Sequence, residues 1–218
     1  MTDFDWDALV RALPFLAQGM VLTLELTALA MAGGIALGTV LAILRLSIPA
    51  PVPQIIAGYV NGLRAMPLIL VIFWFYLLVP LILGRPVGAF SSALIAFTMF
   101  EAAYYSEIIR AGIQGVPRGQ LQAALASGMS YPQAMRYIIL PQAFRAMLPI
   151  LLTQSIILFQ DTSLVYVVGL RDFLTAANIV ASRDQRPIEM YLFVAAVYLV
   201  LCAGASFGVR RLQRKLAR

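Results

Sequence analysis

The stretch QAALASGMSYPQAMRYIILP, from Gln122 to Pro141, interrupts a chain that is otherwise apolar enough to lie in lipid. Its pattern predicts two short helices that meet at Gly128, because glycine most readily ends a helix in the left-handed conformation. Ser130 is a good N-cap for the second helix, which should kink or stop near Pro141. A membrane protein whose one long polar segment is a hinged helix pair is expected to present a docking surface. The alternative is an ordinary surface helix pair that has no partner.

The composition indicates a membrane protein. Of the 218 residues, 61% are hydrophobic and 12% are charged, whereas soluble domains have roughly 45–50% apolar and about 25% charged residues. The chain has no histidine and one cysteine, Cys202, which excludes a disulfide within it, histidine acid–base chemistry and Cys/His metal sites. The net charge of +6 reports topology or anionic lipid in such a protein. No basic and aromatic cluster indicates a nucleic-acid partner.

Windows with at most one charge predict five membrane-spanning helices, since each can hold the ~20 apolar residues that cross ~30 Å of hydrocarbon. Backbone groups in lipid must bond internally, so helices are the expected form. The predicted fold class is therefore all-α transmembrane, in a single domain of residues 1–218. Gly33, Gly34 and Gly38 in the first helix should allow close helix contact. The predicted spans are residues 19–44, 65–84, 88–108, 146–168 and 189–209, with a long loop at about 110–145.

Basic residues predict the orientation of these spans. Most of the 16 basic residues lie in three regions, namely the loop 45–64, the long loop 110–145 and the tail with Arg210, Arg211, Arg214, Lys215 and Arg218. Basic flanks stay in the cytoplasm, so the C-terminus should be cytoplasmic and the N-terminus outside. The opening FDWDALVRALPFL is expected to be an interfacial helix, or else a solvated tail with an aromatic anchor. The external segment 169–188 should contain one short helix.

The segment from Gln122 to Pro141 resembles a motif of a known family. Its spacing matches the EAA signature of ABC-importer membrane subunits, with one departure, because Gln122 stands where the signature has Glu. The flanking FEAAYYSEIIRAGIQGVPRGQ and FQDTSLVYVV resemble the polar-amino-acid permeases, and RAMPLILVIFWFYLLVP is similar to permeases of glutamate/aspartate importers. The signature positions, which by resemblance couple the chain to an ATP-binding subunit, are Gln122, Ala123, Ala124, Gly128, Ile138, Leu140 and Pro141.

The resemblance implies a five-helix ABC type I importer permease fold with cytoplasmic coupling helices, in a bacterial inner membrane. The implied partners are two ATP-binding subunits, a second permease (a related chain or a copy of this one) and an external solute-binding protein, beside the lipid bilayer. ATP and Mg²⁺ belong to the partner subunit. This chain has no GxxxxGK[ST] loop and is expected to be a non-catalytic subunit without a cofactor. Gln122 can still accept a hydrogen bond, so docking should be weakened rather than lost.

Polar residues inside the predicted spans are candidates for the translocation path. A charge at mid-bilayer costs about 2.5–3.5 kcal/mol, so such residues are functional candidates. Either these side chains line the path or they form an interhelical hydrogen-bond network; Glu25 is expected to be structural. Arg64 either binds a substrate carboxylate or anchors the topology. The candidate path residues are Arg64, Glu101, Gln154, Gln160, Asp161, Thr162 and Ser163.

Two other classes of protein remain open at this stage. Glu101 and Asp161 also suit an amino acid carrier driven by an ion gradient, although the sequence shows no inverted repeat of the kind such carriers have. An intramembrane enzyme ranks last, because the chain contains no HExxH and no histidine.

Overall fold

A computed structural model describes residues 5–216, and all regular structure in that range is helical. Phe4 and Arg218, which enter the predictions above, lie outside the described residues. A π-helical turn (Met135–Ile139) joins α6 to α7, and a 3₁₀ helix (Thr162–Val168) extends α7. The α-helices are α1 (Trp6–Ser47), α2 (Val52–Arg64), α3 (Leu68–Leu83), α4 (Ala89–Gln114), α5 (Arg118–Ala126), α6 (Tyr131–Ala134), α7 (Leu140–Asp161), α8 (Phe173–Arg183) and α9 (Pro187–Leu216).

Close contact between α1 and α4 forms the centre of the bundle. A Cβ atom on Gly34 would lie 2.9 Å from the Glu101 Cβ, and one on Gly38 would lie 2.9 Å from the Ser106 backbone nitrogen. Both distances are shorter than non-bonded carbon contacts, so only glycine lets the two helices approach this closely. The predicted role of these glycines in helix contact is confirmed by this geometry.

The N-terminal segment differs from the expectation. Residues from Trp6 onward are the first turns of α1, a continuous helix of 42 residues that is about 63 Å long. Asp5 caps it by accepting a hydrogen bond from the Ala8 backbone N–H at 2.9 Å. The prediction of a separate interfacial helix is wrong, because Leu9, Ala12 and Leu16 are buried in an apolar cluster with residues of α8 and α9. Protein, rather than a lipid surface, covers this amphipathic face.

The boundaries of two predicted loops differ from the structure. The expected loop 45–64 holds α2, whose axis makes an angle of 110° with α3. The expected long loop 110–145 is shorter, because α4 continues to Gln114 and α7 begins at Leu140. The segment 169–188 contains α8, and Asp172 caps that helix by accepting from the backbone N–H groups of Leu174 and Thr175 at 3.0 and 3.2 Å.

Three helical stretches of the described chain are long and apolar enough to cross a membrane, namely Trp6–Ser47, Tyr131–Val168 and Pro187–Leu216. The bent pair α2–α3 counts as a fourth if its two helices form one span. The remaining predicted span corresponds to α4. This helix buries Glu101 and Ser106 among its neighbours, so it needs less apolar surface than a helix that faces lipid. The count of five spans stays a prediction.

Candidate functional site

The predicted coupling segment begins with α5, which starts directly after Pro117. The helix ends where Gly128 adopts a left-handed φ of 84°. The backbone N–H of Met129 returns to the Ala124 carbonyl at 3.2 Å, and that of Gly128 to Leu125 at 3.0 Å. These bonds satisfy carbonyls at the helix end that would otherwise lack partners. The first predicted helix and its glycine turn are therefore present.

The second helix of this segment departs from the prediction in its length. The Gln133 side chain accepts from the Ser130 backbone N–H at 2.8 Å and from the Ser130 hydroxyl at 3.0 Å, which is half of a capping box. The prediction was that this helix kinks or stops near Pro141, and it does not stop there. A π-helical turn precedes the proline, in which the Leu140 N–H bonds to the Met135 carbonyl. The wider turn carries the chain straight into α7.

Exposure divides the seven signature residues. Ala124 is only 6% exposed and Ile138 is half-buried, so these two hold the segment together. The remaining five lie on the surface of the chain. The side chains of Leu125 and Tyr137 are also exposed on this segment. This combination of small and apolar exposed residues suits close contact with another protein surface. The five exposed signature residues are Gln122, Ala123, Gly128, Leu140 and Pro141.

A cavity of about 620 Å³ lies next to this segment, between α2, α4 and α7. One wall reaches Gly115, Val116 and Pro117, the residues that lead into α5. The cavity is therefore connected through the backbone to the coupling segment. Its lining includes the polar or aromatic side chains Arg64, Tyr104, Glu107, Gln142 and Gln154 and the apolar side chains Ile108, Met147 and Ile150.

Charges around the cavity are unevenly paired. Glu107 forms two ion pairs. Its Oε2 lies 2.7 Å from Nη1 of Arg45, and its Oε1 pairs with Arg110 on the next turn of α4. The guanidinium of Arg64 instead lies over the Tyr104 ring, 5.1 Å from its centre. Among the described residues Arg64 has no carboxylate within ion-pair distance. The cavity consequently carries an excess of positive charge.

Gln154 and Glu101 form a hydrogen-bonded pair at one end of the cavity. The Gln154 Nε2 group donates to Glu101 Oε1 at 3.2 Å. Glu101 is fully buried, and its Oε2 has no hydrogen-bond partner among the described residues. Gln154 lines the cavity, whereas Glu101 lies behind it. The structure thus brings together three of the predicted path residues, Arg64, Glu101 and Gln154.

The other predicted path residues lie at the opposite end of α7. Gln160 is exposed and Asp161 is half-buried. Thr162 is fully buried and its hydroxyl donates to the Phe159 carbonyl at 2.7 Å. Ser163 lines a separate pocket of about 170 Å³ with Asn178 and Tyr191. Glu25 is exposed on α1.

Sequence reasoning did not single out three cavity residues, Tyr104, Glu107 and Gln142. A signal was available for Glu107, which precedes Arg110 by three residues, the spacing of an ion pair on a helix. No comparable signal marks Tyr104 or Gln142, because their place in the cavity depends on how α2, α4 and α7 pack.

Comparison with known proteins identifies the class of this chain. Residues 34–218 match the model of a family described as the binding-protein-dependent transport system inner membrane component. The chain belongs to this family of permease subunits. The resemblance stated from the EAA signature is thereby confirmed, and family membership decides against the ion-gradient carrier.

Relatives and solved structures agree with this assignment. The permease is 52% identical to the glutamate/aspartate import permease protein GltK of Escherichia coli O6:H1 over the full length of both chains. It is 37% identical to the probable glutamine ABC transporter permease protein GlnM of Bacillus subtilis, over 92% of this chain and 93% of the relative. A crystal structure of an amino acid ABC transporter with histidines matches with a TM-score of 0.91 at 33% identity, over 99% of this chain and 100% of that one. The fold class predicted from the sequence is confirmed.

Proposed function

We propose that this permease carries glutamate and aspartate through the membrane as one subunit of an ATP-driven importer. The observation that carries the proposal is the charge of the cavity. Two arginines already neutralise Glu107, while Arg64 has no acidic partner in the described part of the chain. A small acidic amino acid has a net charge of −1 and fits a cavity of this volume. The 52% identity to a glutamate/aspartate import permease supports the same substrate class.

Each cavity group has a role that follows from its chemistry. The planar guanidinium of Arg64 can hold a carboxylate through two parallel hydrogen bonds. The amides of Gln142 and Gln154 can each donate and accept, so they suit the second carboxylate and the α-ammonium group. At the other end of α7, the outer part of the route is lined by Gln160, Asp161 and Ser163, which are exposed or half-buried, whereas Thr162 is fully buried behind them.

The coupling segment transmits the ATP cycle of a partner to this cavity. Gln122, Ala123 and the other exposed signature residues dock on a cytoplasmic ATP-binding subunit, where ATP and Mg²⁺ are bound. This chain does no chemistry itself. Residues 115–117 link the docked helix α5 to the cavity wall, so movement of the docked surface changes the shape of the cavity. Such switching requires that different ligands favour the two states.

The complete importer contains two ATP-binding subunits, a second permease that is a related chain or a copy of this one, and a solute-binding protein outside the cell. The N-terminus of this permease lies outside and its C-terminus in the cytoplasm. The basic tail of α9, with Arg210, Arg211, Arg214 and Lys215, supports this orientation through the bias of basic residues toward the cytoplasm.

Uptake by the reconstituted importer tests the substrate and the energy source together. Liposomes that contain the complex should accumulate labelled glutamate only when ATP is supplied on the side of the ATP-binding subunits. Arg64→Met should lower uptake by roughly tenfold or more, the range expected for loss of a charged hydrogen bond. Arg85→Met is the matched control, since Arg85 lines a different pocket, near the turn after α3. Uptake driven by an ion gradient without ATP, or full activity of Arg64→Met, contradicts the proposal.

A further inference from the structure

We propose that Glu101 is a positioning residue, which orients the amide of Gln154 so that the cavity presents a hydrogen-bond acceptor for the α-ammonium group of the substrate. The inference rests on the proposed function of the cavity and concerns a residue that does not line it.

The orientation follows from the single hydrogen bond between the two side chains. Gln154 Nε2 donates to Glu101 Oε1 at 3.2 Å. An amide has its donor and its acceptor at opposite corners, so engagement of the NH₂ group at the back leaves Gln154 Oε1 as the group available to the cavity. An amide without such a partner can turn over and present either end.

The arrangement does not depend on the protonation state of Glu101. An ionised carboxylate only accepts hydrogen bonds, so it binds the NH₂ end of Gln154. A protonated carboxyl group places its proton on Oε2, the oxygen that has no partner among the described residues. In that state Oε1 is still a carbonyl acceptor. In both protonation states Glu101 therefore binds the NH₂ group of Gln154, and Gln154 Oε1 stays available to the cavity.

Glu101 itself has a fixed position. It is fully buried, and its Cβ lies where α1 approaches most closely, 2.9 Å from the site of a Cβ on Gly34. Its helix neighbour on the next turn, Tyr105, is also fully buried and shares a hydrogen bond with Ser155 of α7 at 3.0 Å. A side chain held between α1 and α7 in this way can fix the direction of a neighbouring amide.

Two different residues therefore recognise the two kinds of charged group on the substrate. Arg64 recognises a carboxylate and Gln154 Oε1 recognises the ammonium group. A dicarboxylate without an amino group, such as glutarate, uses only the first contact. The pair Glu101–Gln154 therefore determines the preference for an amino acid over its deaminated analogue.

Equilibrium binding to the purified importer, without its solute-binding protein, tests this inference with labelled glutamate and glutarate as probes. Glu101→Met keeps an unbranched side chain but removes the acceptor. It should weaken glutamate binding by roughly tenfold or more and leave glutarate binding within about twofold. Gln154→Leu should do the same, and the double variant should be no worse than either single variant, because the two residues act as one unit.

Glu101→Gln is the control that separates positioning from mere filling of space, since its carbonyl can still accept from Gln154. It should restore the preference for glutamate. Glu101→Leu repeats the measurement should Glu101→Met fail to assemble with its partner subunits.

Three results overturn the inference. In the first, Glu101→Met keeps the preference of the wild type for glutamate over glutarate. In the second, it weakens both ligands equally, as a structural defect does. In the third, Glu101→Gln loses as much as Glu101→Met. In each of these cases the wild-type importer still shows glutamate binding that depends on Arg64. Failure of the proposed function differs from them, since the wild-type importer then shows no glutamate binding that depends on Arg64, and the inference falls with it.

Discussion

Arg45 Nη1 lies 2.7 Å from Glu107 Oε2, and this ion pair ties the last turn of α1 to α4 at the wall of the cavity. The same carboxylate receives Arg110 from its own helix. Glu107 thereby holds both arginines in place, and its negative charge is neutralised by them. The pair is about one-fifth exposed on each side, so solvent screens it only in part.

Replacement of Glu107 by Gln should destabilise the contact between α1 and α4. The expected loss is about 0.5–1 kcal/mol after allowance for solvent screening, and it should become smaller as salt is added. Thermal unfolding of the detergent-purified protein at two ionic strengths measures both effects. Asp184→Asn, at an exposed pair with Arg183, is the control and should show no measurable change. A loss for Glu107→Gln that does not depend on salt contradicts the electrostatic explanation.

The close contact at Gly38 between α1 and α4 predicts that a larger residue there destabilises the protein. Gly38→Ala places a methyl group 2.9 Å from the Ser106 nitrogen and 3.0 Å from the Ala102 carbonyl oxygen. Backbone atoms cannot move aside as a flexible side chain can, so we expect a loss of about 1–3 kcal/mol from overpacking. Gly58→Ala is the matched control. Nothing lies within 4 Å of its added Cβ, and alanine should stabilise helix α2 by about 0.5–1 kcal/mol. Equal unfolding temperatures for the two variants contradict this account.

The helical class and the coupling segment follow from the sequence because both depend on local patterns. Long apolar windows indicate helices whatever their neighbours are, and Gly128 and Ser130 have their effect within one turn. The boundaries that were wrong depend on packing instead. FDWDALVRALPFL has the same amphipathic pattern whether lipid or α8 and α9 cover it, and the continuation through Pro141 depends on a π-helical turn that no residue spacing announces.

The cavity was foreseen only in part for the same reason. Arg64, Glu101 and Gln154 attract notice as polar residues in apolar runs. Their association depends on the crossing of α2, α4 and α7, and Asp161, which attracts equal notice, lies elsewhere. A sequence therefore marks which polar residues need an explanation, while the three-dimensional packing decides which of them share one site.

Asp172 provides a prediction about pH. Burial raises the pKa of this carboxyl group, although hydrogen bonds from Thr175 and from the Leu174 backbone lower it in part. A raised pKa in the folded state means that the stability contributed by the group is fully present below its ordinary value and is lost as pH rises through the folded value.

Replacement of this residue separates its charge from its capping role. Asp172→Asn keeps a good N-cap and removes the charge, so its stability should not show that decline with pH. Asp172→Ala loses the cap and should cost about 0.5–2 kcal/mol. Unfolding temperatures from pH 4 to 8 measure both effects. A decline of equal size in Asp172→Asn contradicts the assignment.

The left-handed turn at Gly128 allows a test of the coupling segment. Its φ of 84° costs an alanine roughly 1–2 kcal/mol, so Gly128→Ala should loosen the turn between α5 and α6. We expect lower stimulation of ATP hydrolysis by substrate-loaded binding protein, with the basal rate of the ATP-binding subunits retained. Gly119→Ala, in the preceding helix α5 and with nothing within 4 Å of its added Cβ, should leave stimulation unchanged. Unchanged stimulation in Gly128→Ala contradicts the role of this turn in coupling.

Two adjacent alanines in α5 provide a direct test of docking. Ala123 is exposed, whereas Ala124 is buried against the rest of the segment. The only native cysteine is Cys202, which replacement by alanine removes from the background. In membranes, a photoactivatable crosslinker attached to Ala123→Cys should capture the ATP-binding subunit.

The same reagent on Ala124→Cys should react poorly, because the thiol points into the segment. The two positions differ by one residue, so a contrast between variants that reach the membrane in equal amounts reports which face of α5 is docked. Capture of the ATP-binding subunit from neither position, in an importer that still transports, means that this face of α5 is not the docking surface. In that case movement must reach the cavity wall at residues 115–117 from another element.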